Sequence, residues 1–205
     1  QYQSYKGLPQ LTEAMADFYQ KRYAVTLNPE DEILPLMGSK EGIMHISMAF
    51  LNPGDEVLIP APYWVSYPEM VTLSGAKKVI LKTNIKSNFL ITPEQLEKAI
   101  TPKSRMLILC SPSNPSGAVY SKETLQKICE IVTKHPRLLV LWDEIYEHII
   151  YAPNEHVSVT SFPDMRERTI MVNGFSKSFA MTGWRLGYSA APEHFSKAFN
   201  MLQSQ

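Results

Sequence analysis

Residues 169–188, TIMVNGFSKSFAMTGWRLGY, join a short apolar strand to a loop of small and hydroxylated residues that carries two cations. The strand is expected over Thr169–Val172, so Lys177 follows just beyond its end and Arg185 comes later in the same loop. In open α/β sheets, ligands bind in the crevice outside the carboxyl ends of the strands. A lysine held in a partly dry pocket loses its proton easily and becomes an amine nucleophile. The segment therefore predicts an α/β sheet with a reactive lysine at its carboxyl edge, although a lone Ser-Lys pair is more often a surface feature.

The rest of the chain alternates short apolar strands with helices. The predicted strands are Ile33–Met37, Glu56–Pro60, Lys78–Leu81, Met106–Cys110, Leu138–Trp142, Thr169–Val172 and Leu186–Ala190. Periodic apolar residues and capping signals predict helices over Leu8–Tyr23 and Glu41–Leu51, from Thr92 to Ile100, and from Ser121 to about Lys134. This alternation is typical of a mostly parallel sheet covered by helices on both faces. We therefore predict one α/β domain with a seven-stranded sheet over residues 1–205.

The composition is that of an ordinary globular domain. Hydrophobic residues make up 44% of the chain, and 20 basic residues balance 20 acidic ones. This balance gives no electrostatic reason to expect a nucleic acid or a membrane as partner, and no apolar run reaches the ~18 residues of a membrane span. Cys110 and Cys129 favour apolar thiols in a reducing compartment, so a cytoplasmic location is expected. The chain has neither a Met start nor a signal-peptide pattern, and it looks like a piece of a longer protein.

Two strand ends carry groups suited to an anion and to a polar ligand. Gly38-Ser39-Lys40 opens a helix, where free backbone N–H groups favour an anion such as phosphate; the spacing of a P-loop is missing. Asn114 lies between two prolines that fix its backbone and leave its amide free to donate a hydrogen bond. Each feature alone has an ordinary alternative, a plain strand–helix junction in one case and a turn asparagine in the other.

A third strand end is acidic. Asp143 and Tyr146 follow an apolar strand and can both face one ligand. A carboxylate buried there needs a cation, and a protonated ring nitrogen would serve, although a capping aspartate is the ordinary alternative. Without a P-loop the magnesium-binding strand of an NTPase is excluded. Glu144, Glu147 and His148 suggest a metal cluster, but no His-Glu-x-x-His or Cys/His set supports it, so no metal is predicted.

These groups together match one common cofactor. The lysine loop adds Arg185, which suits a phosphate through bidentate hydrogen bonds. The set then contains a phosphate site, an aspartate for a pyridinium, a tyrosine and an asparagine for a phenolate oxygen, and a lysine for an aldehyde. Pyridoxal 5'-phosphate is the common cofactor that requires all four.

Four segments resemble the fold-type I pyridoxal-phosphate enzymes of the class I/II aminotransferase family. They are PYWVSYPEM at 62–70, SNPSG at 113–117, DEIYEH at 143–148 and the lysine segment at 173–188. The chain looks most similar to the bacterial and plant subgroup of aspartate and prephenate aminotransferases, and the similarity covers nearly all of it. The resemblance implies that residues 1–205 are the cofactor-binding large domain of a protein that is a homodimer at full length.

The resemblance also implies a role for each site residue. The expected catalytic residues are Lys177, which would form a Schiff base with the cofactor and shuttle a proton, Asp143, which would pair with the pyridinium nitrogen, and Tyr146, which would contact the phenolate oxygen. The other expected cofactor contacts come from Tyr2 (toward the neighbouring subunit's phosphate), Gly38, Ser39, Lys40, Trp64, Asn114, Ser176 and Arg185. Lys40, Trp64 and Asn114 are expected to contact the substrate as well.

The activity implied is transfer of an amino group between an amino acid, with aspartate, glutamate or another dicarboxylic substrate expected, and a 2-oxo acid. The family's N-terminal arm and C-terminal small domain, with the arginine for the substrate α-carboxylate, are missing from the chain, so weak activity is expected. The run at 38–42 also resembles LL-diaminopimelate aminotransferases. A fold-type I lyase and a non-catalytic aminotransferase-like sensor domain are further alternatives. Gly174 replaces a serine of many relatives, which leaves one phosphate hydrogen bond open.

Overall fold

The computed structural model describes residues 4–204, which contain a seven-stranded sheet in the order β1-β7-β6-β5-β4-β2-β3. The strands are β1 Ile33–Leu36, β2 Glu56–Ala61, β3 Lys77–Lys82, β4 Ser104–Cys110, β5 Leu139–Asp143, β6 Thr169–Gly174 and β7 Gly187–Ala190. Strands β3, β2, β4, β5 and β6 pair in parallel, whereas β7 runs antiparallel to both β6 and β1. The predicted mostly parallel sheet is confirmed.

Six α-helices in the described part of the chain cover both faces of the sheet. They are α1 Pro9–Tyr23, α2 Ser39–Phe50, α3 Ser66–Leu73, α4 Pro93–Ala99, α5 Lys122–Thr133 and α6 Glu193–Gln203. Buried residues of α1, α4 and α5 pack on one face, and those of α2, α3 and α6 pack on the other. Alternate residues of β4 enter the two cores, Leu107 on the first side and Met106 and Ile108 on the second, because successive side chains of a strand point to opposite faces.

The ends of the helices follow ordinary capping chemistry where the sequence predicts it. Thr92 accepts a hydrogen bond from the backbone N–H of Gln95 at the start of α4, and Ser121 accepts one from Thr124 at the start of α5. Helices α3 and α6 are absent from the sequence prediction. Helix α3 has only eight residues and carries Pro68 near its start, a position where proline is tolerated but obscures the helical pattern. In α6, Phe195 and Phe199 are four residues apart, a helical spacing that the sequence prediction did not use.

Helix α2 and strand β6 have different bounds in the structure from those predicted, and as a result predicted site residues lie on these regular elements. Helix α2 starts at Ser39 instead of Glu41, so Ser39 and Lys40 form its first turn. Strand β6 continues to Gly174, two residues beyond the predicted end, and the backbone of Asn173 pairs with Tyr188. These elements are more rigid supports for side chains than loops are.

The sheet register brings the polar strand ends together. Cys110 of β4 pairs with Asp143 of β5, and Asp143 pairs with Val172 of β6. Because β1 and β6 are both antiparallel to β7, the carboxyl ends of β1, β4, β5 and β6 lie at one edge of the sheet. None of the helices in the described part of the chain combines the length and the apolar character needed to cross a membrane.

Candidate active site

A cavity of about 240 Å³ opens at this edge of the sheet. The predicted site residues that line it are Ser39, Lys40, Trp64, Asn114, Asp143, Tyr146, Ser176, Lys177 and Arg185. Gly38 is not among the lining residues, although it lies next to the lining residue Arg185, and Tyr2 lies outside the described residues. The lining residues that sequence reasoning missed are Ile43, Tyr67, Cys110, Ile145 and Thr182.

One end of the cavity is built for an anion. Ser39 and Lys40 begin the twelve-residue helix α2, whose first N–H groups and dipole favour negative charge. Gly38 has φ +85°, and a Cβ there would lie 2.4 Å from Nη2 of Arg185. Arg185 donates from Nη1 to the carbonyl of Thr182 at 3.0 Å, and no carboxylate among residues 4–204 forms an ion pair with it. The guanidinium is thus held beside the helix N-terminus with its charge unpaired.

Two further glycines allow the lysine segment to approach α2. A Cβ on Gly187 would lie 2.5 Å from the backbone nitrogen of Ser39, and one on Gly174 would lie 2.8 Å from the Ser39 hydroxyl. That hydroxyl donates to the carbonyl of Asn173 at 2.9 Å. Gly174 therefore leaves space that the Ser39 side chain takes.

Asp143 is the buried acid of the cavity. It ends β5 and is 5% exposed. The hydroxyl of Tyr67 donates to its Oδ2 at 2.6 Å, and the backbone N–H of Ile145 donates to Oδ1 at 3.2 Å. Burial raises the pKa of Asp143 to about 6, and the two hydrogen bonds oppose that rise. A cation in the cavity would find the carboxylate already oriented and would favour its ionised form.

Tyr146, Asn114 and Lys177 line the same cavity. The side-chain amide of Asn114 donates to the Tyr146 hydroxyl at 3.3 Å, and burial raises the pKa of Tyr146. The Lys177 amine lies 5.8 Å from the centre of the Tyr146 ring, and no carboxylate pairs with it among the described residues. The partly dry surroundings expected for Lys177 are not provided by this chain alone, because its side chain is exposed.

Lys40 and Trp64 mark the outer rim. The amine of Lys40 lies 5.6 Å from the centre of the Trp64 ring, a distance typical of a cation–π contact. Trp64 also stands edge-on to Tyr67, with ring centres 5.4 Å apart. The three-residue spacing of Trp64 and Tyr67 places both on one side of a helical turn, a signal that could have identified Tyr67 from the sequence.

A buried polar cluster lies beyond the cavity on the other face of β5. Glu144 and Glu147 meet His156 there, and Nε2 of His148, the histidine considered with them in the sequence, lies 3.9 Å from Oε1 of Glu147. His156 lies 2.7 Å from Glu144, and Asn173 and Tyr23 donate to Glu147. Burial first, and the charge of Glu144 second, raise the pKa of Glu147. Because these donors already satisfy the two carboxylates, the cluster is explained as a support for the ends of β5 and β6.

The full length of the chain, residues 1–205, matches the family model "Aminotransferase class I and II". The chain belongs to this family. A bifunctional aspartate aminotransferase and glutamate/aspartate-prephenate aminotransferase of Petunia hybrida is 56% identical over 199 residues, which are 97% of this chain and 41% of the petunia protein.

Solved structures of the family superpose closely on the whole chain. An aromatic aminotransferase from Pyrococcus horikoshii has a TM-score of 0.96 at 43% identity, with 100% of this chain and 54% of that one covered. An aspartate aminotransferase from Thermus thermophilus with maleate has a TM-score of 0.95 at 40% identity, with 100% and 52% covered. This member of the aminotransferase family thus spans about half the length of the relatives that it matches.

Proposed function

We propose that the chain is the cofactor-binding core of a pyridoxal-phosphate-dependent aminotransferase, which transfers an amino group between an amino acid and a 2-oxo acid. The observation that carries the proposal is the convergence of four groups on one cavity of about 240 Å³. They are an anion site at α2, a buried carboxylate, a tyrosine–asparagine pair and a lysine amine. Family membership supports the same chemistry.

The residues fit the cofactor group by group. Pyridoxal phosphate, when bound, supplies an aldehyde and a pyridinium ring that withdraws electrons from the reacting carbon. Ser39, Ser176 and Arg185 would hold its phosphate, since charge-assisted contacts at a helix N-terminus suit that group. Asp143 would accept a hydrogen bond from the ring nitrogen, and the Tyr146–Asn114 pair would donate to the phenolate oxygen.

Lys177 would bind the aldehyde carbon through Nζ with loss of water, and the amino group of the incoming amino acid would then displace it. The freed Nζ would carry the proton that leaves the α-carbon of the amino acid. Both roles need a neutral amine. Among the described residues, no carboxylate forms an ion pair with Lys177. The exposure of Lys177 in this chain leaves the exclusion of water to segments beyond residue 205, or to a second subunit.

For the substrate, we propose an amino acid with a second carboxylate, such as aspartate or glutamate. Lys40 places a cation at the rim of the cavity next to Trp64, and the relatives named above include aspartate aminotransferases and one structure with maleate, a dicarboxylate. The aromatic aminotransferase of Pyrococcus horikoshii is equally similar in fold, so a preference for a dicarboxylate would come from Lys40. An arginine for the α-carboxylate is expected outside this chain, as are a small domain and the homodimer partner; a cytoplasmic location is likewise a prediction.

The proposal is tested by trapping the covalent bond between the cofactor and the lysine. Incubation with pyridoxal phosphate followed by borohydride reduction should attach the cofactor to Lys177, as mapped by mass spectrometry of the peptides. Lys177→Ala should abolish the label, whereas Lys40→Ala should keep it on position 177. A label on another lysine, or none, would refute the proposal.

The reaction class needs a second measurement. Single-turnover reaction with aspartate should release oxaloacetate and leave the amino group on the cofactor. Release of carbon dioxide or ammonia instead would favour a lyase. A protein that binds the cofactor without any turnover, even at the length of the relatives that it matches, would favour a sensor domain.

A further inference from the structure

Tyr67 is the buried residue in closest hydrogen-bond contact with Asp143. Its side chain is 3% exposed, and its hydroxyl lies 2.6 Å from Oδ2 of the aspartate. The backbone N–H of Ile145 holds the other oxygen at 3.2 Å. Each carboxylate oxygen therefore has one fixed donor, and the position of Tyr67 is itself fixed by the start of α3 and by the edge-on ring of Trp64.

The surroundings of Asp143 make this contact important. Among residues 4–204 no lysine, arginine or histidine forms an ion pair with it. The titratable groups that face it are Tyr67 of α3, Cys110 of β4, and Glu144 and Tyr146 beyond β5. Burial raises the pKa of the Tyr67 phenol and that of the Cys110 thiol, so both stay protonated. The charge of Glu144 opposes ionisation of Asp143, and Tyr67 favours it.

We propose that Tyr67 is a positioning residue, whose hydroxyl holds the Asp143 carboxylate in the orientation and the ionised form that a protonated ring nitrogen in the cavity requires. This inference rests on the proposed function, because that nitrogen belongs to pyridoxal phosphate. A phenol that keeps its own proton can only donate to the carboxylate, and a hydrogen bond to the charged form favours that form. Removal of the hydroxyl should raise the pKa of Asp143 by about one unit, a tenfold change in proton affinity.

The first experiment reads Asp143 directly in the cofactor-free chain. Carboxyl-¹³C aspartate is incorporated, the resonance of Asp143 is assigned with Asp143→Asn, and its chemical shift is followed by NMR against pH. The parent should titrate at about 6 and Tyr67→Phe about one unit higher, while Tyr63→Phe, which removes a phenol hydroxyl from the same segment, should leave the midpoint unchanged. Phenylalanine keeps the aromatic ring, so the titration midpoint of Asp143 would stay unchanged if Tyr67 had only a packing role. An unchanged midpoint in Tyr67→Phe would therefore overturn the inference.

The second experiment measures the protonation of the ring nitrogen in the bound cofactor. With pyridoxal phosphate labelled with ¹⁵N in the ring, the nitrogen resonance of Tyr67→Phe should move toward that of an unprotonated pyridine, whereas Tyr63→Phe should match the parent. If the parent chain fails to bind the cofactor, the proposed function fails and the aspartate titration still decides what Tyr67 does to Asp143. If the cofactor binds and the Tyr67→Phe resonance equals the parent's, the inference about Tyr67 falls alone.

A second variant covers the case in which Tyr67→Phe does not fold, as judged by circular dichroism. Site-specific 3-fluorotyrosine at position 67 keeps the hydroxyl and makes it a stronger donor. The titration midpoint of Asp143 should then fall below the parent value. A midpoint that stays or rises would overturn the inference.

Discussion

The side-chain amide of Asn173 donates to Oε1 of Glu147 at 2.6 Å, which ties the end of β6 to the turn that follows β5. Asn173 is 3% exposed, and its Oδ1 accepts from the backbone N–H of Gly174. The turn carries Tyr146, and the strand leads to Lys177, so this bond fixes two parts of the cavity relative to each other. It belongs to the buried cluster beyond the cavity and not to the cavity itself.

Asn173→Ala should destabilise the chain by about 1–3 kcal/mol, because Glu147 and the Gly174 N–H would lose a buried partner. Urea unfolding at pH 7 measures the free energy of unfolding. Asn154→Ala, which removes an exposed asparagine with one hydrogen bond to Tyr151, is the matched control and should change it by less than about 0.5 kcal/mol. Equal losses in the two variants would contradict the supporting role of Asn173.

Asp143→Asn should stabilise the cofactor-free chain at pH 8 by about 1–3 kcal/mol and should have little effect near pH 4. The pKa of Asp143 is about 6 in the folded chain, against an ordinary value of 3.8. The folded state therefore holds the proton more tightly than the unfolded state, and stability falls as pH rises from about 4 to about 6. Asparagine carries no charge, so its burial avoids the cost of desolvating a carboxylate. It also loses one hydrogen-bond acceptor, so the gain in stability should be smaller than the pKa shift of about two units alone would give.

The check is the difference in free energy of unfolding between variant and parent at pH 4, 6 and 8, in which the titrations of all other groups cancel. Asp164→Asn, an exposed aspartate, should give a difference that does not vary with pH. A pH-independent difference for Asp143→Asn would show that the carboxylate is not strained by burial. If the variant is stabilised but inactive in the full-length protein, stability and function compete at this position.

The sheet could be predicted from the sequence because each strand is a short apolar run between turn signals, as at Met106–Cys110. The antiparallel direction of β7 could not be predicted. Gly187–Ala190 is as fully buried as its neighbours β1 and β6, and strand direction depends on how the lysine loop folds back toward Ser39. Helix α3 was missed because Pro68 interrupts its pattern, and with it the contact of Tyr67 was missed.

The site was predictable to the level of residue types, and less so in its contacts. Lys177, Asp143 and Asn114 follow strand ends, which the apolar pattern locates. The Tyr67–Asp143 and Asn173–Glu147 hydrogen bonds join residues that are 76 and 26 positions apart, so no local pattern contains them. His156 reaches Glu144 from a segment without regular structure, so no periodic pattern in the sequence identifies it as a partner.

Gly187→Ala should weaken binding of pyridoxal phosphate strongly. The new Cβ would lie 2.5 Å from the nitrogen of Ser39 and 2.8 Å from the carbonyl carbon of Gly38, and backbone atoms at the start of α2 cannot move aside without disturbing the anion site. Gly183→Ala is the matched control in the same loop, since no atom lies within 4 Å of its Cβ position. Dissociation constants from absorbance titration should rise at least about tenfold for the first variant and stay at the parent value for the second.

Lys40→Met tests the proposal of a dicarboxylic substrate in a form of the protein as long as the relatives that it matches. Aspartate and asparagine have nearly the same shape, and they differ in the charge that Lys40 would contact. Because Lys40 is exposed at the rim, we expect a loss of about tenfold in kcat/KM for aspartate. This corresponds to the low end of the free energies found for hydrogen bonds to charged groups. The value for asparagine should stay within about twofold of the parent's.

The control for Lys40→Met is Lys122→Met, which removes an exposed lysine at the start of α5 and should leave both substrates unaffected. Two outcomes would contradict the assignment. Equal losses on aspartate and asparagine would mean that Lys40 serves the phosphate at the N-terminus of α2, since both amino acids need the cofactor in the same way. The amine of Lys40 lies 5.6 Å from the centre of the Trp64 ring, so the positions of the two side chains are coupled. If Lys40→Met causes no further loss in a variant that already lacks the Trp64 ring, Lys40 acts by holding Trp64.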